Sequence, residues 1–184
     1  MPLIENQANV CGTQGSVIRW CDAFAVVACC FAGSTIKDDR ADTFLGTTIM
    51  GKVTKISWCD STFSPWIGCT EVSPGCDNCY SRELSKRYGW AKWGIGQPRY
   101  RTSASNWAQP IAWNRAAEKS GRVWRVFCAP LADVFDNDVP FQWRIDLWRL
   151  IEATPNLSWL LVTKRIGNVE RMVPHHWLHN GFPS

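Results

Sequence analysis

The hydrophobic pattern of the chain changes at Met50. Beyond it, stretches of apolar period near two alternate with stretches of period near 3.6, the spacings that separate strands from helices. "TKISWCDSTFSPWIG" (54–68) opens as a short strand and then turns at Pro65 toward a loop rich in cysteine. Tyr80, Leu84 and Tyr88 share one helical face, which Gly89 would end. A long polar connection punctuated by tryptophan follows, in which Asn106–Ser120 predicts a helix interrupted early by Pro110. "GRVWRVFCAP" (121–130) reads as a second strand closed by proline. "VPFQWRIDLWRLIEATP" (139–155) reads as a helix with Trp143, Leu147, Leu150 and Ile151 on its apolar face. "LSWLLVTKR" (157–165) is a third strand, and "IGNVERMVP" (166–174) a short helix after it.

Strands alternating with helices, with nearly continuous apolar runs in the strands, predict an α/β fold built on a parallel sheet. In such folds reactive groups collect at the C-terminal ends of the strands. That rule selects the cysteine loop, "APLADVFDND" (129–138) and "TKR" (163–165).

Residues 1–49 read differently. Their short apolar run, Ala23 to Gly33, has a cysteine at position 29 that loosely matches a lipoprotein cleavage site, but Asp22 abuts the run and Arg19 is the single cation before it. "MGKVTKISW" from Met50 looks like a natural start. The expectation is therefore a domain over 50–184, with 1–49 a non-domain or misassigned extension. At 184 residues, 46% hydrophobic and 20% charged, the composition is that of an ordinary folded protein. No apolar run approaches the roughly 20 residues that a membrane crossing needs, so a soluble, non-membrane protein is expected. Nine cysteines, an odd number unevenly spaced, point to a reducing cytoplasm and to metal ligation rather than a disulfide framework.

Three of them fall within eleven positions. Cys69, Cys76 and Cys79 have the spacing C-x6-C-x2-C, and thiolates are the standard ligands of zinc and of iron–sulfur clusters. The Ser73-Pro74-Gly75 turn folds the longer spacer back, and three thiolates leave one position of a four-iron cluster open. The competing reading completes a structural zinc site with Cys59. Cys128 is expected to pack. His175, His176 and His179 have helical spacing but no carboxylate or thiol beside them, which makes a metal site there an outside reading.

Charge supports a rival class of function. Residues 82–125 hold ten Lys or Arg against two Glu, a net of +8 in a chain whose total is +4, and Trp90, Trp93, Trp107, Trp113 and Trp124 are interleaved with them. Cations among aromatic rings are what a single-stranded nucleic-acid surface uses. A zinc-stabilised nucleic-acid-binding module using Cys59, Cys69, Cys76 and Cys79 therefore stands beside the cluster reading.

"TKISWCDSTFSPWIGCTEVSPGCDNCYSREL", "VFCAPLADVFDNDVP" and "WLLVTKR" resemble, in order and spacing, the three-cysteine-motif phage protein family, over about residues 53–173. Members of that family look like radical S-adenosylmethionine enzymes. The resemblance implies a barrel whose cysteine loop, after the first strand, holds a [4Fe-4S] cluster with S-adenosylmethionine on the open iron. Reductive cleavage would then give a 5′-deoxyadenosyl radical acting on an unknown substrate. Carried over, Cys69, Cys76 and Cys79 are the cluster ligands, and a separate three-cysteine-motif partner protein is implied. The first cysteine gap is six rather than the superfamily's usual three, and "APLADVF" stands where a Gly-Gly-Glu stretch would hold the cofactor's amino group. Only three barrel strands are visible, so the expected fold is a partial (β/α) barrel ended after about three β/α units, from an incomplete phage or prophage gene product. Lys164 and Arg165 end an apolar strand where a cation could meet the cofactor's carboxylate. Asp133 is a candidate for the same pocket, whereas Asp136 and Asp138 read as a solvated acidic loop capping the next helix.

Overall fold

In a computed structural model, the protein is described over residues 54–180, together with the backbone of 17–20 and 24–27. The expectation that 1–49 stands apart from the domain falls mostly outside these residues. The two short stretches described there, β1 (Val17–Trp20) and β2 (Phe24–Val27), form an antiparallel pair whose second strand lies parallel beside β7 (Leu157–Val162).

The centre of the fold is parallel. β3 (Ser61–Phe63), β6 (Trp124–Cys128) and β7 lie side by side in chain order, within a sheet of order β1-β2-β7-β6-β3. The sheet is open, and no strands close it into a barrel among the described residues. A second, two-stranded ribbon pairs β4 (Trp66–Ile67) with β5 (Tyr100–Arg101).

Register explains which side chains face the core. Ser61, Val126 and Trp159 stand in line across the three strands, as do Phe63, Cys128 and Leu161, and all six are buried. The intervening row, Thr62, Phe127 and Leu160, is only half-buried. Two-residue periodicity puts successive rows on opposite faces, so one face of the sheet is covered and the other partly open. Consecutive parallel strands joined by right-handed crossovers carry their helices on one face, which accounts for the asymmetry.

The helices begin and end on local chemistry. α1 (Tyr80–Tyr88) stops at Gly89, whose φ of 69° is the left-handed cap that glycine adopts without strain. Its predicted face points largely outward: Tyr80 and Tyr88 are exposed and Leu84 is half-buried, while the buried residue of the helix is Ser85. α2 (Ala104–Ser120) runs through Pro110 without a break. The interruption expected at Pro110 does not occur, because the first turns are anchored from outside. Asn106 Nδ2 donates to Ser64 O at 3.0 Å, Trp107 Nε1 donates to Pro65 O at 3.2 Å, and Ser103 Oγ caps Asn106 N. α3 (Phe141–Glu152) buries Leu147, Leu150 and Ile151 as its spacing predicts, and adds Trp148 and Arg144. α4 (Val169–Met172) and α5 (His175–Asn180) follow β7, and Trp177 packs edge-on against Trp148 at 5.2 Å. The first strand forms later than the pattern of 54–58 suggests, since it is Ser61 and Phe63 that bury alternately. No helix among the described residues is long and apolar enough to cross a membrane.

The opposite, N-terminal end of the sheet is tied by Asp60, which accepts from Arg125 N at 2.7 Å and from Arg122 Nη1 at 2.9 Å. Burial acts to raise its pKa, but these two donors hold the carboxyl below its usual range. A depressed carboxyl contributes stability above its unfolded pKa of about 3.9 and loses that contribution as the pH falls through the folded value. Asp60→Asn is therefore expected to lower stability at pH 7 by on the order of 1 kcal/mol, in urea unfolding, with the difference from the parent closing as the pH falls below about 4.

Candidate functional site

Three segments meet at the C-terminal edge of the parallel strands. β3 passes through Ser64 and Pro65 into β4, and Gly68 then bridges Ala132 in parallel while its amide donates to Leu131 O at 3.1 Å. Gly68 has φ 108°, and a Cβ there would stand 3.3 Å from both Arg99 Cδ and Pro98 O. Glycine is thus required to bring Cys69 against the segment that follows β6. That segment starts at Ala129, a non-glycine residue with φ 59° held by Ala129 N donating to Phe63 O at 2.7 Å. Positive φ costs an alanine about 1 kcal/mol or more, and the turn it makes sends Asp133 and Asp136 inward.

Asp133 is 5% exposed and all its oxygen capacity is used. Oδ1 accepts from Thr163 Oγ1 at 2.8 Å and Phe135 N at 2.9 Å, and Oδ2 accepts from Lys164 N at 3.2 Å and Arg165 Nη1 at 3.0 Å. Arg165 Nη1 also donates to Cys69 Sγ at 3.2 Å, while Nη2 donates to Thr70 O at 2.5 Å and lies 3.5 Å from Asp136 Oδ1. Its Nε is buried without a hydrogen-bond partner. A neighbouring pair completes the network: Arg99 Nε donates to Asp136 Oδ2 at 2.7 Å, and Arg99 Nη2 reaches Thr70 Oγ1 and Asp138 Oδ2. From α3, Arg144 clamps the same segment through Val134 O and Asp136 O.

These contacts set the charge states. Burial pushes the Cys69 thiol up to about 12, against the pull of the Arg165 guanidinium, so the thiol is neutral at neutral pH. Burial works against the Arg165 cation too, but its pKa is raised, and with the Cys69 thiol neutral it is the Asp133 and Asp136 carboxylates that hold the charge. Burial lowers Arg144, with Asp136 and Asp133 opposing.

Of the residues singled out in the sequence, Cys69, Asp133 and Arg165 are brought into direct contact. Lys164 adds its backbone amide, with its side chain half-buried at the same edge. Cys76 ends a 3-10 turn (Pro74–Cys76) and is buried; Cys79 is the half-buried residue preceding α1, its amide donating to Cys76 O at 3.2 Å. Asp136 is a correction: it is 1% exposed and ion-paired, because Arg99 and Arg165 stabilise its charge inside. Asp138 keeps a half-exposed carboxylate, bonded to Arg99 and Thr70. Cys128 is fully buried in the core, and burial raises its thiol pKa. His176 bonds Glu152 at 2.9 Å, and His175 and His179 face each other at 3.2 Å.

Arg99 and Arg144 belong to this network, and the sequence pattern did not single them out. Arg144 left a signal, a cation three residues before Leu147 on the apolar stripe of α3; Arg99 left none, lying in a run of cations.

The candidate cluster ligands fit in kind: three free thiols in one loop, with a cation beside the first. They do not fit in arrangement. Among the described residues, no three His, Cys, Asp or Glu side chains are grouped so as to hold a metal ion, and Cys69 Sγ is turned toward Arg165 and Thr70 O. Cys59 is further away still. It precedes β3, next to the Asp60–Arg125 contact, whereas Cys69 lies beyond the Gly68–Ala132 bridge at the other end of the sheet. β3 runs between them, so the four-cysteine zinc set is divided between the two ends of that strand.

Thiol alkylation checks this arrangement, since only the thiolate reacts. With iodoacetamide at pH 8 and peptide mapping, Cys79 is expected to label readily while Cys69 and Cys128 stay unmodified until the protein is unfolded.

No curated protein matches the chain, and no solved structure does. A family model described as protein of unknown function (DUF5131) matches residues 53–182, which contain the whole network above. The chain belongs to the DUF5131 family of proteins of unknown function.

Proposed function

We propose that this chain is an iron–sulfur protein of the radical S-adenosylmethionine type, with Cys69, Cys76 and Cys79 as the ligands of a [4Fe-4S] cluster and its three parallel strands as a segment of a (β/α) barrel. The observation that carries the reading is the contact of Arg165 with both Cys69 and Asp133. It joins the cysteine loop after the first parallel strand to the ends of the second and third, where a pocket of that fold gathers its reactive groups. The strand order supports it further, since β3, β6 and β7 follow one another without reversal and bury one face more than the other.

Each residue has a task that its contacts suit. Arg165, kept charged, faces the Cys69 sulfur and would stabilise a thiolate there. Asp133, held by Thr163 and two backbone amides, fixes Arg165 in place. Lys164 is the cation at this edge whose charge is not engaged in an ion pair among the described residues, and it suits the carboxylate of S-adenosylmethionine. When bound, the cluster would supply one-electron reduction of that cofactor. Taking it up requires the 69–79 loop to turn its thiols toward a common centre.

The zinc-stabilised reading is the weaker one, because Cys59 lies across the sheet from the loop. Anaerobic reconstitution with iron and sulfide, followed by metal analysis and visible absorption, separates the two. The expected product is brown, holds about four irons, and loses its colour in each of Cys69→Ala, Cys76→Ala and Cys79→Ala but not in Cys59→Ala. A colourless protein with one zinc that also requires Cys59 would sink the cluster reading.

A further inference from the structure

Half of the ten cations at 82–125 are tied into ion pairs, Arg125 with Asp60 at 3.9 Å among them. Arg99 is buried against Asp136, Arg101 pairs with Asp146 at 2.7 Å, Arg122 with Asp60 at 2.9 Å, and Arg82 with Glu71. Trp107, Trp113 and Trp124 belong to the core or pack against it. Two of the others, Lys86 and Lys92, line a concavity of about 660 Å³ formed by the end of α1 and the loop after it. Lys86 and Lys92 stand on its wall beside the ion-paired Arg82, Trp90, Trp93 and Tyr100 bring three aromatic rings, and no acidic residue lines it. Neither Lys86 nor Lys92 has an ion-pair partner among the described residues.

A second observation falls on the same wall. Six buried side-chain polar atoms lack a hydrogen-bond partner among the described residues, and three of them, Ser85 Oγ, Trp90 Nε1 and Trp93 Nε1, belong to residues lining this concavity. Ser85 is 0% exposed. Buried donors without acceptors are costly and uncommon, and half of those found here belong to residues of this one cationic hollow. Trp90 is already stacked on Tyr88, 5.0 Å away and 16° from parallel, so the wall presents its ring as a fixed plate.

We infer that this concavity binds single-stranded nucleic acid, with Lys86 and Lys92 on phosphates and an exposed aromatic face under a base. Stacking on aromatic side chains beside a positively charged groove is how strands are held without sequence readout, and a hollow of this size accommodates a nucleotide unit. The site also adjoins the cysteine loop: Gly94 N donates to Cys69 O at 3.1 Å and Thr70 Oγ1 donates to Gly94 O at 3.1 Å. A bound strand therefore lies beside the proposed cluster loop.

The test uses the full chain as purified with no iron added, so that its outcome is independent of the cluster reading. Fluorescence anisotropy with a labelled oligo-dT strand is expected to show binding that weakens linearly in log–log salt plots. Lys86→Ala with Lys92→Ala is expected to weaken it about tenfold or more and to reduce the slope by about 1.4. Trp93→Ala weakens binding and Trp93→Phe restores it, with circular dichroism confirming that each variant is folded. A duplex of equal length binds less well, and dTMP competes only at far higher nucleotide concentration. An unchanged affinity and slope in the double lysine variant, equal affinity for duplex, competition by dTMP at equal nucleotide concentration, or no binding would overturn the inference.

Discussion

The C-terminal edge of the parallel strands depends on one buried ion pair, Arg165 with Asp133, whose side chains are 6% and 7% exposed. Taking two charges out of water costs several kcal/mol for each, and their attraction repays it only when the remaining hydrogen-bonding capacity is filled. Here Asp133 spends both oxygens on four donors, and Arg165 spends its two terminal nitrogens on Cys69, Asp133, Thr70 and Asp136, with only its Nε left unfilled. The pair consequently cannot be kept while its surroundings change. It fixes the start of the cysteine loop against the ends of β6 and β7, which lie far apart in the chain. The second pair, Arg99 with Asp136, secures the same loop through Thr70, and Arg144 holds the segment between them from below.

That constraint relates the fold to the proposed chemistry. Three parallel strands in unreversed order bring three loops to one edge, and the strained turn at Ala129 and the glycine at position 68 let backbone approach closely enough for the ion pairs to form. The edge that results has a thiol next to a permanent cation. It is a place where a thiolate would be welcome, although burial keeps Cys69 protonated until something displaces the proton. The concavity beside α1 adds a second, separately built surface tied to the same loop by Gly94.

Much of this was legible in the sequence where one local rule decided the outcome. The apolar runs ending at Cys128 and Val162 could only be buried strands, the stripe on α3 followed helical spacing, and Gly89 was the stop it looked to be. The meeting of Cys69, Asp133 and Arg165 followed from the rule that strand ends share an edge. What was hidden depended on partners far away in the chain. Asp136 looked solvated because Arg99, 37 residues earlier, is what allows it inside. The basic run looked like a surface because its counter-ions, Asp60, Asp136 and Asp146, lie outside it. Pro110 looked like a helix breaker because the anchors of α2 come from Ser64 and Pro65. The convergence of the three thiols, which spacing alone suggests, is a property of side-chain direction that spacing does not determine.

In the proposed function, the loop held by Arg165 supports a cluster with one iron left open. Electron paramagnetic resonance of the reconstituted, dithionite-reduced protein tests it most directly, recorded before and after addition of S-adenosylmethionine. The prediction is a reduced [4Fe-4S] signal whose shape changes when the cofactor is added, because the open iron acquires a new ligand. A cluster signal that S-adenosylmethionine leaves unaltered, or no cluster signal at all, would contradict it.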